Sequence, residues 1–501
     1  MASVSSIASA RALDEPRPDE QPAWALPALL VLAVFAAVVY GWGIASTQLH
    51  LYYGPAVKSM SESWRAFLFG AYDPAAWSTV DKLPGAFWVQ ALSARIFGFH
   101  AWSVLLPPVV ESVLTIFVLY RVVRRWLGPG AGLVAAAVFA TTPIVAAMAR
   151  TQISDVLLVL LLVLAAAAWQ RAVSGARLLP LLLCGLCVGL AFYTKMAQAW
   201  AVWIPFGVAY LAAAPTSLSR RLSHVALAGG VTLVVSLAWV GFMLATPASA
   251  RPYVDGSMDN SPISMVFGYN ALNRFGVGHT GAEALGVGGP AKRADGPLTY
   301  LIGNGVAPQI GWLYPLALIG LAGVFARGGR TPRDDARAPA VDPVRAGYLM
   351  WGLWFVVHAV AFSVARLPHT FYLIALAPAE AALAAGGLVL LVSAYRRDGW
   401  RQWLLPAAIA ITAVWCAYLC SRFPAFLPWL GPSLLVAGIA AAAVLVAAKL
   451  VRGRAAAWLG TAGGALAIVA ILFAPGAWAA STVAQRDVFH AHRPGAGPAS
   501  R

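Results

Sequence analysis

Apolar runs of about 20 residues recur along the whole chain, separated by short polar or turn-rich breaks, and that is the length an α-helix needs to cross a hydrocarbon core. The pattern predicts thirteen spans, near 24–45, 103–122, 129–148, 154–170, 178–194, 199–214, 222–246, 309–327, 345–366, 371–394, 403–421, 428–449 and 457–480. The run from Trp24 is too long for a cleavable signal core and has no clear cleavage site, so it reads as a retained first span. Two breaks are long, 46–102 and 246–308. In the first, Tyr53, Ala56, Val57, Met60, Trp64, Phe67 and Leu68 recur at three- and four-residue spacing, opposite Lys58, Ser59, Glu62, Ser63 and Arg65. This predicts an amphipathic helix in the membrane interface. Trp88, Leu92, Ile96 and Phe99 predict a second, and the turn-prone stretch between them carries Asp73, Asp81 and Lys82. The second long break holds aromatic residues, asparagines and arginines between Arg251 and Phe275, then a Gly-rich stretch with His279, Lys292 and Arg293. That content favours an ordered cover, since long loops in compact proteins are mostly functional or disordered.

Composition narrows the class. Of 501 residues 60% are hydrophobic and 11% charged, which excludes a soluble enzyme, a disordered scaffold and a secreted disulfide domain. The net charge of +16 would suggest nucleic acid on a soluble protein, but here it records topology. With the N-terminus inside, six short inner loops hold 18 of the 35 basic residues, whereas four short outer loops hold one each: Arg150, Lys195, Arg366 and Arg422. Both long loops and the tail 481–501 then face outside. The four cysteines, Cys184, Cys187, Cys416 and Cys420, lie in spans and read as packing residues rather than a redox or metal motif.

Several ordered stretches carry a family likeness. Tyr52-Tyr53-x-x-Ala56-Val57-Lys58-Ser59-Met60, followed by Thr79-Val80-Asp81-Lys82-x-Pro84, resembles the first outer loop of the family 39-like glycosyltransferases of the GT-C superfamily. That group includes bacterial lipid A aminoarabinose transferases and protein O-mannosyltransferases. Arg150-Thr151-x-x-x-Asp155 is similar to its second acid motif. Thr194-Lys195-Met196-x-Gln198-Ala199-Trp200, Tyr269-Asn270-x-Leu272-x-Arg274 and His369-x-Phe371-Tyr372 with Ala375-x-Ala377-Pro378 are similar to further stretches, in order over about residues 40–390. The chain departs from the pattern where members carry an acid just after the first span: here the sequence is Thr47-Gln48-Leu49-His50-Leu51. Leu83 replaces a second proline, Glu111 and Glu380 stand where neutral residues are expected, and no extended soluble C-terminal domain is expected.

The resemblance implies an all-α polytopic GT-C-type fold of about thirteen transmembrane helices, and transfer of a sugar from a polyprenyl-phosphate carrier to an acceptor hydroxyl or phosphate on a lipid, cell-wall glycan or protein. Residues 24–395 would form the catalytic membrane module, 396–480 further C-terminal spans, and 1–23 a cytoplasmic tail. The carrier leaves as a phosphate dianion and needs cationic stabilisation, whereas the acceptor hydroxyl needs a base worth about 10²–10⁴-fold. Asp155 is the first candidate for that base, with a helix N-cap as its structural alternative. Asp81 is the second, against a plain loop salt bridge with Lys82; it could serve a divalent metal only with further converging oxygen ligands. Lys82, against snorkelling from the interfacial helix, and Arg274, against a solvated loop charge, are the expected phosphate contacts. Lys195 and Arg150 are further donor-binding candidates, against an anchoring role at span ends. His369 and Tyr372, beside Arg366, would hydrogen-bond donor or sugar, against a satisfied interfacial histidine, and Tyr52 and Tyr53 would shape its pocket, against an aromatic belt. Glu111, His358 and Glu380 read as hydrogen-bond partners between helices. Two other classes fit the membrane pattern, a transporter or flippase of a lipid-linked sugar and an inactive transferase-like subunit. A transporter would favour midplane charges and repeat symmetry, whereas the charges here gather at one interface.

Overall fold

The computed structural model describes residues 22–276, 296, 299–326, 341–365, 369–485 and 495–498. His279, Lys292, Arg293, Arg366 and the tail before Pro22 lie outside them. The N-terminal half runs α1 (Ala25–Gly41), α2 (Tyr53–Glu62), α3 (Trp64–Phe69), α4 (Gly85–Phe97), α5 (Ala101–Leu127), α6 (Pro129–Thr141), α7 (Pro143–Ala149), α8 (Asp155–Val173), α9 (Leu178–Lys195), α10 (Ala197–Trp200), α11 (Trp203–Ala213) and α12 (Leu218–Ala245). The C-terminal half adds α13 (Tyr314–Ala326), α14 (Pro343–Val364), α15 (Ala377–Tyr395), α16 (Leu404–Ser421), α17 (Leu430–Leu450) and α18 (Arg454–Ala480).

Helix occupies every predicted span. Among the described residues eleven helical stretches are long and apolar enough to cross a membrane, and twelve if α6 and α7 count as one span bent by 62°. The bend has a local cause. Pro143 lacks an amide donor and forces Thr142 out of the helical region, to φ −66° and ψ 120°. The expected thirteenth span, 199–214, is the shorter α10–α11 segment, which runs Ala197–Ala213. The protein is a multi-pass, all-helical membrane protein.

Close helix crossings set the packing. A methyl group on Gly320 would lie 1.9 Å from the Leu383 carbonyl oxygen, and one on Gly387 would lie 2.3 Å from that of Leu316, so only glycine lets α13 and α15 approach this closely. His358 turns its Nδ1 to its own helix, 3.0 Å from the Trp354 carbonyl, rather than to a neighbouring helix as expected. Glu380 is buried with Oε2 unpartnered.

The first long loop folds into the helices α2, α3 and α4. The expected helix over 52–69 is broken at Ser63, whose side chain caps α3 through the Ala66 amide at 3.2 Å. Tyr53, Ala56, Val57 and Met60 face inward as the spacing requires, but Trp64 and Leu68 beyond the break are exposed. In α4 the row Leu92 and Ile96 faces outward, and Phe87, Ala91 and Ala94 make the buried face. The α4 start sits hard against the α9 end, because a methyl on Gly85 would meet Tyr193 Cβ at 2.6 Å and its carbonyl oxygen at 2.8 Å.

Candidate active site

Two helix ends create the first half of the site. Asp155 is the first residue of α8, where the helix dipole favours an anion; Lys195 is the last of α9, where it favours a cation. The neighbouring helices bring the two together, with Lys195 Nζ 2.6 Å from Asp155 Oδ2. Their side chains are 5% and 0% exposed, so neither charge could stay buried without the other. Asp155 Oδ1 has no hydrogen-bond partner. The 3₁₀ turn Thr370–Ala375 covers the pair, with Lys195 Nζ 4.4 Å from the Phe371 ring centre and 4.8 Å from that of Tyr372. Ser154 makes no capping bond to α8, and Asp155 Oδ2 accepts from Lys195.

The second half comes from the long loops. Lys82 Nζ lies 3.1 Å from both Asp81 carboxylate oxygens, and the Tyr53 hydroxyl donates to Asp81 Oδ1 at 3.0 Å while accepting from Lys82. Tyr269 donates to Asp81 Oδ2 at 3.4 Å, and the Asn270 amide donates to the Asp81 carbonyl at 2.8 Å. Burial would raise the Asp81 pKa. Lys82, by charge and hydrogen bond, and Tyr53 outweigh it and hold the carboxyl below the usual carboxylate range. Burial likewise pushes the Tyr53 and Tyr269 phenols up, reinforced by the Asp81 charge, so both remain donors. The guanidinium of Arg274 stands 4.9 Å over the Tyr269 ring. Burial alone would lower its pKa, but Tyr372, Tyr269 and Asp81 raise it, so the cation is kept.

The loops are stitched to each other. The Thr79 amide donates to the Tyr253 carbonyl and the Tyr253 amide to the Trp77 carbonyl, each at 2.8 Å; the Asp255 amide donates to Thr79 Oγ1 at 3.1 Å. The Tyr52 hydroxyl donates to Asp255 and accepts from the Asp81 amide. The halves also touch: the His50 backbone amide, beside Tyr52, donates to Gln152 Oε1 at 2.6 Å, and Gly85 packs on Tyr193, two residues before Lys195. The two halves therefore form one charged cluster at one end of the helix bundle.

Asp155, Asp81, Lys82, Lys195, Arg274, Tyr53 and Tyr372 all join this cluster, and Tyr52 borders it. His369 stacks on Phe371 at 4.7 Å, and its ring centre is 5.5 Å from that of Tyr372. Arg150 is employed differently: it is 1% exposed, and Nη1 donates toward the carbonyls of Val39, Tyr40 and Trp42 at 3.2, 3.1 and 2.7 Å. It caps the end of α1, because the last carbonyls of a helix lack intrahelical donors. Both carboxylate oxygens of Asp81 are engaged by Lys82 and tyrosines, and among the described residues no three His, Cys, Asp or Glu side chains gather as metal ligands. The donor set therefore does not fit a divalent ion. Where the first-span acid is missing, His50 Nδ1 accepts from the Tyr52 and Tyr53 amides at 3.1 Å each, and so starts α2. Asp255, Tyr269, Asn270 and Phe371 went unassigned from sequence. Tyr269, Asn270 and Phe371 stand in stretches that carry the family likeness, but Asp255 gives no signal apart from the others in its loop.

Known proteins resemble this chain in sequence and fold. The dolichyl-phosphate-mannose-protein mannosyltransferase family matches residues 81–239. YycA of Bacillus subtilis strain 168, which carries the name "Putative mannosyltransferase", is 32% identical over 476 residues, covering 80% of this chain and 68% of that protein. YkcB of the same strain, similarly named, is 32% identical over 445 residues, covering 72% of this chain and 61% of that protein. In fold, ArnT from Cupriavidus metallidurans, solved bound to undecaprenyl phosphate, superposes with a TM-score of 0.54 at 20% identity, covering 91% of this chain and 77% of that one. The chain belongs to the GT-C superfamily of polytopic membrane glycosyltransferases. It spans about two thirds of the length of the two Bacillus proteins.

Proposed function

We propose that this chain transfers a sugar from a polyprenyl-phosphate carrier to an acceptor hydroxyl or phosphate at the outer face of the plasma membrane, with the N-terminus in the cytoplasm and residues 24–395 carrying the reaction. The observation that carries the reading is a buried carboxylate, Asp155, held by Lys195 on one oxygen and unpartnered on the other, at the same end of the bundle as the Asp81–Lys82 pair. Asp155 is the base. Oδ2 is held by Lys195, which fixes the carboxylate, and Oδ1 is left to take the acceptor proton as the new glycosidic bond forms and the bond from the anomeric carbon to the carrier phosphate breaks. Lys82 and Arg274 receive the departing phosphate dianion, which needs charge rather than a proton. Asp81 is a positioning group: it is engaged on both oxygens and orients Lys82, Tyr53 and Tyr269. Tyr372 stands over Lys195 in the turn before α15, with His369 beside it, and both are placed to meet the donor. The orientation is supported by the excess of arginine in alternate short loops.

The reading is tested with purified protein in lipid and a panel of polyprenyl-phosphate sugars, following release of free polyprenyl phosphate. Wild-type protein releases it from at least one donor, and Asp155→Asn, which keeps the shape but not the base, loses turnover by about 10²-fold or more. Full activity in Asp155→Asn, or solute flux without sugar transfer, would refute it.

A further inference from the structure

We propose that Gln198 hydrogen-bonds a ring hydroxyl of the transferred sugar and so helps select the donor; the inference rests on the transferase reading above. Gln198 belongs to the short helix α10, which follows Lys195 after an abrupt change of direction at Met196. That residue is 1% exposed and adopts φ 48° and ψ −131°, in the left-handed half of the backbone map that side chains with a Cβ rarely enter. The turn is pinned from both sides: the Met196 amide donates to the Phe192 carbonyl at 2.7 Å, and the Ala199 amide donates to the Met196 carbonyl at 3.0 Å. It stops α9 at the residue that grips Asp155 and keeps the following residues beside it.

What comes next is anchored too. The Trp200 ring stacks on Phe192 at 4.7 Å and lies 6.0 Å from Phe267. Phe267 is two residues before Tyr269, which reaches Asp81. Gln198 thus lies on the strip of chain that runs from the Asp155–Lys195 pair to the second long loop. Its amide Nε2 is buried and has no hydrogen-bond partner. Buried amides are almost always paired, because an unmade bond costs the full desolvation of the group. Strained backbone and unpaired polar groups persist where a ligand completes them.

The chemistry of the missing partner follows from the neighbours. In the proposed reaction Lys82 and Arg274 answer the phosphate, whereas a neutral carboxamide matches a neutral hydroxyl. Whichever end of the amide meets the donor, a sugar hydroxyl can answer it, since hydroxyls both donate and accept. A site that hydrogen-bonds one hydroxyl rejects analogues lacking it far better than a purely apolar pocket would.

The experiment compares wild type with Gln198→Met, which removes the amide at nearly constant volume, and uses Gln198→Glu as a second variant. Thermal unfolding is followed without donor, with bare undecaprenyl phosphate, and with the panel sugar that wild type turns over best. Donor-free Gln198→Met is expected to unfold at or above the wild-type temperature, because the protein itself leaves this group unpaired. Bare carrier should stabilise both proteins equally, whereas the extra stabilisation by the sugar-loaded carrier should shrink in the variant. Transfer, and donor hydrolysis without acceptor, should fall by about tenfold or more, the scale of one lost buried hydrogen bond. Donor lacking the contacted hydroxyl should be used equally by both proteins. A donor-free loss of stability in Gln198→Met with equal loss for both lipids would mark a structural residue and overturn the assignment, as would unchanged donor use. A fall in transfer with donor hydrolysis intact would move the contact to the acceptor and overturn it too. If wild type releases polyprenyl phosphate from no donor, the transferase reading fails first, and this assignment with it.

Discussion

Replacing Lys195 by methionine removes one charge from a pair that water cannot reach. The nitrogen and oxygen are 2.6 Å apart, with 5% and 0% side-chain exposure. At an effective dielectric constant near 20 their attraction is roughly 6 kcal/mol, and burying the two ions costs several kcal/mol each, so the intact pair is close to balance. Breaking it is different: Asp155 would remain buried with no cation in contact, a loss of about 3–5 kcal/mol. The Asp155→Leu/Lys195→Met double variant removes both charges and should recover most of that loss, or exceed wild-type stability by about 1–4 kcal/mol. Both variants should be inactive in transfer. The free cysteines provide a readout, since Cys184, Cys416 and Cys420 are buried and react with a thiol probe only as the bundle opens. Unfolding by denaturing detergent, followed by thiol labelling, gives the three stabilities. If the double variant is as unstable as Lys195→Met alone, the loss comes from packing around the lysine stem, and the argument from an uncompensated charge is wrong.

Arg150→Met leaves three carbonyls at the end of α1 without their shared donor and should lower stability by about 2–4 kcal/mol, with the KM for the carrier unchanged in the folded fraction; a raised carrier KM at full stability would restore it as a phosphate ligand. The folded Asp81 carboxyl binds its proton less tightly than the unfolded one, so its contribution is complete above the ordinary carboxylate pKa and is lost as pH falls through the lower folded value. The stability gap between wild type and Asp81→Asn should therefore be constant at neutral pH and close only below about pH 4, as thermal unfolding from pH 7 to pH 3 would reveal. Gly85→Ala should cost about 1–3 kcal/mol by forcing α4 away from Tyr193, and a neutral result in the same labelling assay would mean that the helix moves freely.

The local chain chemistry was legible in the sequence. Apolar runs long enough to cross a bilayer can do little else, because backbone polar groups must be satisfied internally there, so the helical spans, and from their spacing the helices α2 and α4, could be read directly. Asp155, Asp81, Lys82, Lys195 and Arg274 were visible as charges near span ends, and the resemblance gathered them into motifs. Their pairing was not visible. Periodicity says that a residue lies at a helix end, but not which other helix end faces it, so the Asp155–Lys195 contact across 40 positions, the Tyr52–Asp255 link across 203 and the use of Arg150 as a cap across 108 to 111 belong to tertiary structure. The same limit explains the break at Ser63 and the outward row of α4: spacing defines an apolar face, but only packing decides whether protein or lipid covers it. A span requires length and hydrophobicity, which are local and additive along the chain. A site requires charges from distant segments to share one small volume, and only the folded helices bring them close enough to act on each other.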